Sequence, residues 1–153
     1  MKKRQDGELV LRIPGDLSEI ARLPELVDNF GARHGLPAKL LTSLNLVLEE
    51  LVVNTVSYGY EDPAADPGAD SGRDDRSIEI RLRRDGDLIT LQIEDDGKAF
   101  DPTALDEPDT DAAIEERDAG GLGIHFVRTL MDTVEYRRVG DRNRLTMTKQ
   151  IDP

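Results

Sequence analysis

SIEIRLRRDGDLITLQIEDDGKAF, residues 77–100, is the segment on which the fold turns. Ile78, Ile80 and Leu82 alternate with polar residues, and Ile89, Leu91 and Ile93 do so again, the period-2 signature of half-buried strands. Between them Asp85-Gly86 is a hairpin signal, so strands over 77–84 and 88–94 are expected to pair antiparallel and to share one apolar face. A face of that kind has to be covered by another layer.

Reading toward the C-terminus, Thr133–Val139 and Arg144–Ile151 form a second strand pair around Gly140-Asp141-Arg142-Asn143. It is preceded by a helix over 121–130 with Ile124, Val127 and Met131 on one side. Toward the N-terminus, apolar residues recur at three and four from Pro37 to about Ser57, through Leu40, Leu44, Val47, Leu48 and Leu51. Leu17 to about Gly35 carries helical spacing through Ile20, Leu23, Val27 and Phe30, and Leu9, Leu11 and Ile13 alternate as a first strand. Two tracts have little to bury: 61–76, read as a mobile surface loop, and 101–119, with a short helix near 111–116. The order strand, two helices, hairpin, polar tract, helix, hairpin predicts one α+β domain over 1–153. It is a two-layer sandwich with helices on one face of a mixed or antiparallel sheet. A doubly wound parallel fold needs stricter alternation of strand and helix.

The chain carries a formal net charge of −12 over 153 residues. That balance argues against nucleic acid and anionic lipid as partners, because both require a positive face. A polyanionic ligand would have to be held by backbone N–H groups and a metal ion instead of bulk charge. With no cysteine, there is neither a disulfide framework nor a thiolate metal site. No apolar run is long enough for a signal sequence or a membrane span, and a cytoplasmic location is expected.

Three segments carry residues suited to such a ligand. Glu50 and Asn54 lie four apart on the 37–57 helix, so a carboxylate and a carboxamide share one face. Together they can hold a hard cation and its waters, and the carboxylate can accept a proton. Asn45 and Glu49 repeat the spacing one position out of phase, so spacing alone does not distinguish the pairs. Asp95 continues the inward phase of Ile89, Leu91 and Ile93 and places a carboxylate where the apolar face ends; Gly97 allows close approach of a ligand ring. A buried carboxylate needs donors, and the exocyclic amine of adenine is one candidate. Gly120-Gly121-Leu122-Gly123 opens a helix whose unpaired N–H groups can take a phosphate. No strand precedes it, against a dinucleotide-binding βαβ turn. His34 reads as a helix-end residue and His125 as structural, since no second ligand is spaced for a metal site.

Glu50-x-x-x-Asn54, Asp95-x-Gly97-x-x-Phe100 and Gly121-x-Gly123, in that order, resemble the N box and the two glycine boxes of the GHKL (Bergerat-fold) ATPase superfamily. LEELVVNTVSYGY and GGLGIHFVRTLMDTVEYR resemble bacterial anti-sigma-factor serine/threonine kinases of the RsbW and SpoIIAB type, over residues 8–150. The resemblance implies ATP and Mg²⁺ beneath a lid over 101–119. Glu50 is then the general base, Asn54 the Mg²⁺ ligand, Asp95 with Gly97 the adenine site, and Gly121, Leu122 and Gly123 the phosphate loop. It also implies sequestration of a sigma factor, phosphorylation of a STAS-type anti-anti-sigma protein, and homodimerisation. Tyr58 stands where relatives often carry His, and Ala119 where some carry a lid arginine, with Arg117 nearby. Ala119 motivates the alternative of an ATP-dependent docking module without kinase activity.

Overall fold

The structure, a computed structural model, describes residues 7–56, 76–97, 99 and 127–151. Five strands, β1 (Gly7–Pro14), β2 (Ser77–Asp85), β3 (Leu88–Asp95), β4 (Thr133–Val139) and β5 (Arg142–Gln150), form a single sheet in the order β1-β2-β3-β5-β4. Every pair in it is antiparallel, so the expectation of a mixed sheet narrows to an antiparallel one. Among the described residues α1 (Leu23–His34), α2 (Ala38–Asn54) and the helical residues 127–130 pack on one face, giving the α+β arrangement expected.

Local chemistry sets the boundaries. A short 3-10 turn at Ile20–Arg22 leads into α1, so the helix starts later than the apolar spacing from Leu17 indicates. Pro24 sits in its first turn, and Gly35 at φ 67° ends it by donating its N–H to the Gly31 carbonyl. Both hairpins close on Gly-Asp. Asp85 pairs with Leu88 and Val139 with Arg142, leaving Gly86-Asp87 and Gly140-Asp141 as two-residue loops. Gly86 and Gly140 have φ 64° and 61°, and no non-glycine residue has positive φ among the described residues. The loops are therefore primed turns with glycine first, which match the twist of the strands. The first loop lies one residue later than the Asp85-Gly86 signal indicates, and the second is shorter than 140–143, because β5 begins at Arg142.

Register arranges the inward side chains in rows across the sheet. Leu9, Leu82, Leu91, Met147 and Val134 form one row, and Leu11, Ile80, Ile93, Leu145 and Tyr136 the next. The third is Ile13, Ile78, Asp95, Asn143 and Arg138, so the apolar face becomes polar at one corner. The opposite face is mostly polar and charged; in one row Arg12, Glu79, Glu94, Arg144 and Arg137 lie side by side. Glu94 takes Arg142 at 2.8 Å and Arg144 at 3.1 Å there. The buried core therefore lies between the inward rows and α1 and α2, with Leu44, Val47, Leu48, Leu51 and Val52 of α2 all at or below 3% exposure.

Contacts at the α1–α2 connection place the start of α2. An Arg84 guanidinium nitrogen donates to the His34 carbonyl, and Pro37, Lys39 and Leu40 line a cavity of about 530 Å³ with Lys149 and Gln150. Gln150 pairs with Leu88, so α2 begins over the end of the sheet where β3 starts. At 17 residues α2 is about 25 Å long, close to the length of an eight-residue strand such as β3.

Candidate functional site

The C-terminal turns of α2 contribute Glu50 and Asn54. Asn54 follows Val47 and Leu51 on the stripe that faces the sheet and is 6% exposed, whereas Glu50 lies beside that stripe and is half-buried. Asn54 makes no side-chain hydrogen bond among the described residues, and its carboxamide sits at the core's edge. The out-of-phase pair faces elsewhere: Glu49 is exposed, and Asn45 turns to α1, where its Nδ2 donates to Asp28 at 3.2 Å. Geometry thus separates two pairs that spacing leaves equivalent.

Asp95 is 7% exposed at the end of β3. Its Oδ1 accepts the Gly97 N–H at 2.9 Å and Nδ2 of Asn143 at 3.0 Å, while Oδ2 has no partner among the described residues. Asn143, 6% exposed on β5, uses its own Oδ1 to accept the Tyr136 hydroxyl at 2.5 Å and Arg138 at 3.1 Å. The same Arg138 nitrogen donates to the Gly97 carbonyl at 2.9 Å. Burial raises the Asp95 pKa above the ordinary carboxylate value, opposed by the bonds from Asn143 and Gly97 and by the Arg138 charge, and reinforced by Asp96. The result is a nearly buried carboxylate with one oxygen saturated and the other available to an incoming donor.

Asp95 and Gly97 are named from the sequence, whereas Asn143, Tyr136 and Arg138, which the structure joins to them by hydrogen bonds, are not. The signal was present: Asn143 precedes Leu145 and Met147 at period 2, as Arg138 follows Val134 and Tyr136, so the phase that puts Asp95 inward puts these inward too. Treating 140–143 as a loop concealed it. His34 caps α1 with its ring 4.4 Å from that of Phe30, the helix-end role expected. Gly121, Leu122, Gly123, the lid over 101–119, the loop over 61–76, Tyr58, Arg117, Ala119 and His125 lie outside the described residues.

No group of three or more His, Cys, Asp or Glu is placed to hold a metal among the described residues. The donors present suit Mg²⁺, which takes one or two protein oxygens and fills its octahedron with phosphate and water. Among the described residues no helix is long and apolar enough to cross a membrane.

The family described as the histidine kinase-like ATPase domain matches residues 13–149. The chain is 28% identical over 127 residues to the serine/threonine-protein kinase BtrW of Bordetella bronchiseptica, covering 83% of this chain and 82% of that one. To the serine-protein kinase RsbW of Bacillus pumilus it is 25% identical over 131 residues, covering 83% and 76%. It is similar in fold to the crystal structure of the RsbU and RsbW domains of a Mycobacterium tuberculosis protein, with a TM-score of 0.61 at 13% identity, over 96% of this chain and 33% of that one. Since the family match runs from β1 through β5 and takes in both α2 and the Asp95 corner, the chain belongs to the histidine kinase-like ATPase domain family.

Proposed function

We propose that this protein is an ATP-dependent serine/threonine-protein kinase that acts as an anti-sigma factor, binding a sigma factor and phosphorylating a STAS-type anti-anti-sigma protein. The observation that carries the reading is the buried Asp95 carboxylate beside Gly97, whose Oδ2 has no partner among the described residues and is left as an acceptor. Similarity to BtrW and RsbW, both named as protein kinases, supports phosphoryl transfer over the other activities of the superfamily.

In this reading Oδ2 of Asp95 accepts the adenine exocyclic amine, and Gly97, without a side chain, lets the ring approach the backbone. Gly121, Leu122 and Gly123 hold the phosphates through backbone N–H groups, the only cradle suited to a chain of charge −12. Asn54 supplies the protein oxygen for Mg²⁺, which when bound neutralises charge on the phosphates. Glu50 orients the target hydroxyl and takes its proton onto the carboxylate as that oxygen attacks the γ-phosphorus, while the bond from the γ-phosphorus to the β–γ bridging oxygen breaks and ADP leaves. The remaining work is positioning and electrostatic stabilisation.

Incubation with ATP, Mg²⁺ and a STAS-domain partner is expected to give a phosphoserine or phosphothreonine on the partner. Glu50→Gln should retain nucleotide and partner binding and lower transfer by ~10²–10⁴-fold, the range for a lost general base. Normal binding with no transfer by the unsubstituted protein would favour the docking module that Ala119 motivates, and would end the kinase reading.

A further inference from the structure

The bond from Arg138 sets the orientation of the Asn143 amide. Its Oδ1 accepts from the Arg138 guanidinium at 3.1 Å, a group that can only donate, and from the Tyr136 hydroxyl at 2.5 Å. Its Nδ2 must therefore face Asp95, and Oδ1 of that carboxylate is held as an acceptor by a side chain from β5 and by the Gly97 backbone. Arg138, on the edge strand β4, closes the loop by holding the Gly97 carbonyl. Two donors on Oδ1 leave Oδ2 without a partner among the described residues, and a proton on this carboxyl would sit there and turn the acceptor into a donor.

We infer that Asn143, clamped by Tyr136 and Arg138, is a positioning residue that selects the nucleobase by keeping Oδ2 of Asp95 a pure acceptor, so that a base with an exocyclic amine is preferred to one without. The inference rests on the nucleotide site proposed above and deepens it. Asn143 acts through Asp95 and does not touch the base. The edge hairpin β4–β5, with no glycine-box or N-box residue, becomes part of the recognition machinery. Asp96 and Arg138 are the charged groups whose fields reach Asp95 from the described elements, and Arg138 does so with its position fixed by the same bonds.

The test compares ATP with purine riboside triphosphate, identical but for the 6-amino group, in the full chain with Mg²⁺. The unsubstituted protein is expected to bind ATP about 10-fold or more tightly, the worth of a hydrogen bond to a charged acceptor. Asn143→Ala should bring that ratio close to one while affinity for the amine-free nucleotide stays within about 2-fold. Arg138→Met, a change at an exposed edge position, should move the ratio the same way and serves if Asn143→Ala does not fold. In the nucleotide-free protein, the Asp95 carboxyl followed by ¹³C NMR should titrate at higher pH in Asn143→Ala, since a bond that favours the ionised form is gone. An unchanged ratio, or equal weakening of both nucleotides with an unmoved Asp95 titration, would reduce Asn143 to a structural residue and overturn the inference. Failure of the unsubstituted protein to bind either nucleotide would instead defeat the site reading itself, and this inference with it.

Discussion

Asp95 shows how a single residue can oppose stability and serve binding. Its folded pKa lies above the unfolded one, mainly from burial, so the native state holds its proton more tightly. Stability referable to Asp95 is thus greatest below the ordinary carboxylate range and falls as pH rises through the raised value. Asp132 has the opposite sign: the Gln150 N–H at 2.7 Å holds its carboxyl below the usual value, and that contribution is lost on acidification. Asp95→Asn keeps an oxygen for both donors while deleting the buried charge. Its nucleotide-free thermal midpoint at neutral pH is expected to equal or exceed that of the unsubstituted protein. Its ATP affinity should drop by ~10-fold or more, as for a lost charge-assisted bond. Calorimetry and a thermal scan on one preparation check both; a lowered midpoint with intact ATP binding would show that the carboxylate is there for structure.

At the scale of the element, α2 carries two polar pairs with opposite fates. Asn54 ends the stripe that faces the sheet, whereas Asn45 has a buried Oδ1 with no partner and a single bond to Asp28. An unpaired buried acceptor costs about 1–3 kcal/mol, so Asn45→Ala is expected to leave stability level or raise it by about 1 kcal/mol in a urea titration. Nucleotide binding should be unaffected, in contrast to Asn54→Ala. The α1–α2 contact is less forgiving: a Cβ on Gly31 would lie 2.4 Å from a Leu41 methyl carbon. Gly31→Ala should therefore destabilise by about 1–3 kcal/mol, read as a lower urea midpoint at unchanged slope. Periodicity announced α2 and the β2–β3 hairpin because their apolar residues recur at the element's own period. It did not show which polar pair points inward, since Glu50/Asn54 and Asn45/Glu49 have identical spacing and only the sheet beneath distinguishes them. Asn143 escaped for a different reason: a Gly-Asp loop of two residues was read as four, which removed an inward strand position from consideration.

For the molecule as a whole, charge sets a condition that no single residue reveals. At −12 with an isoelectric point near 4.6, the protein repels a nucleotide that is itself an anion. The described face with most arginine, the outer side of the sheet, is on the side away from α2 and is partly paired with Glu79, Asp85 and Glu94. It offers the incoming phosphates no guide. Repulsion between exposed charges acts over a Debye length, which shrinks from ~30 Å at 0.01 M salt to ~8 Å at 0.15 M. The association rate of MgATP should consequently rise with added monovalent salt, by a few-fold over that range, opposite to the fall seen when lysines and arginines neutralise phosphates. Stopped-flow mixing with a fluorescent ATP analogue at fixed Mg²⁺ measures it directly. A rate that falls with salt would mean that a positive local field overrides the net charge at the mouth of the site, and the phosphates would then be guided by side chains instead of being held by backbone N–H groups alone.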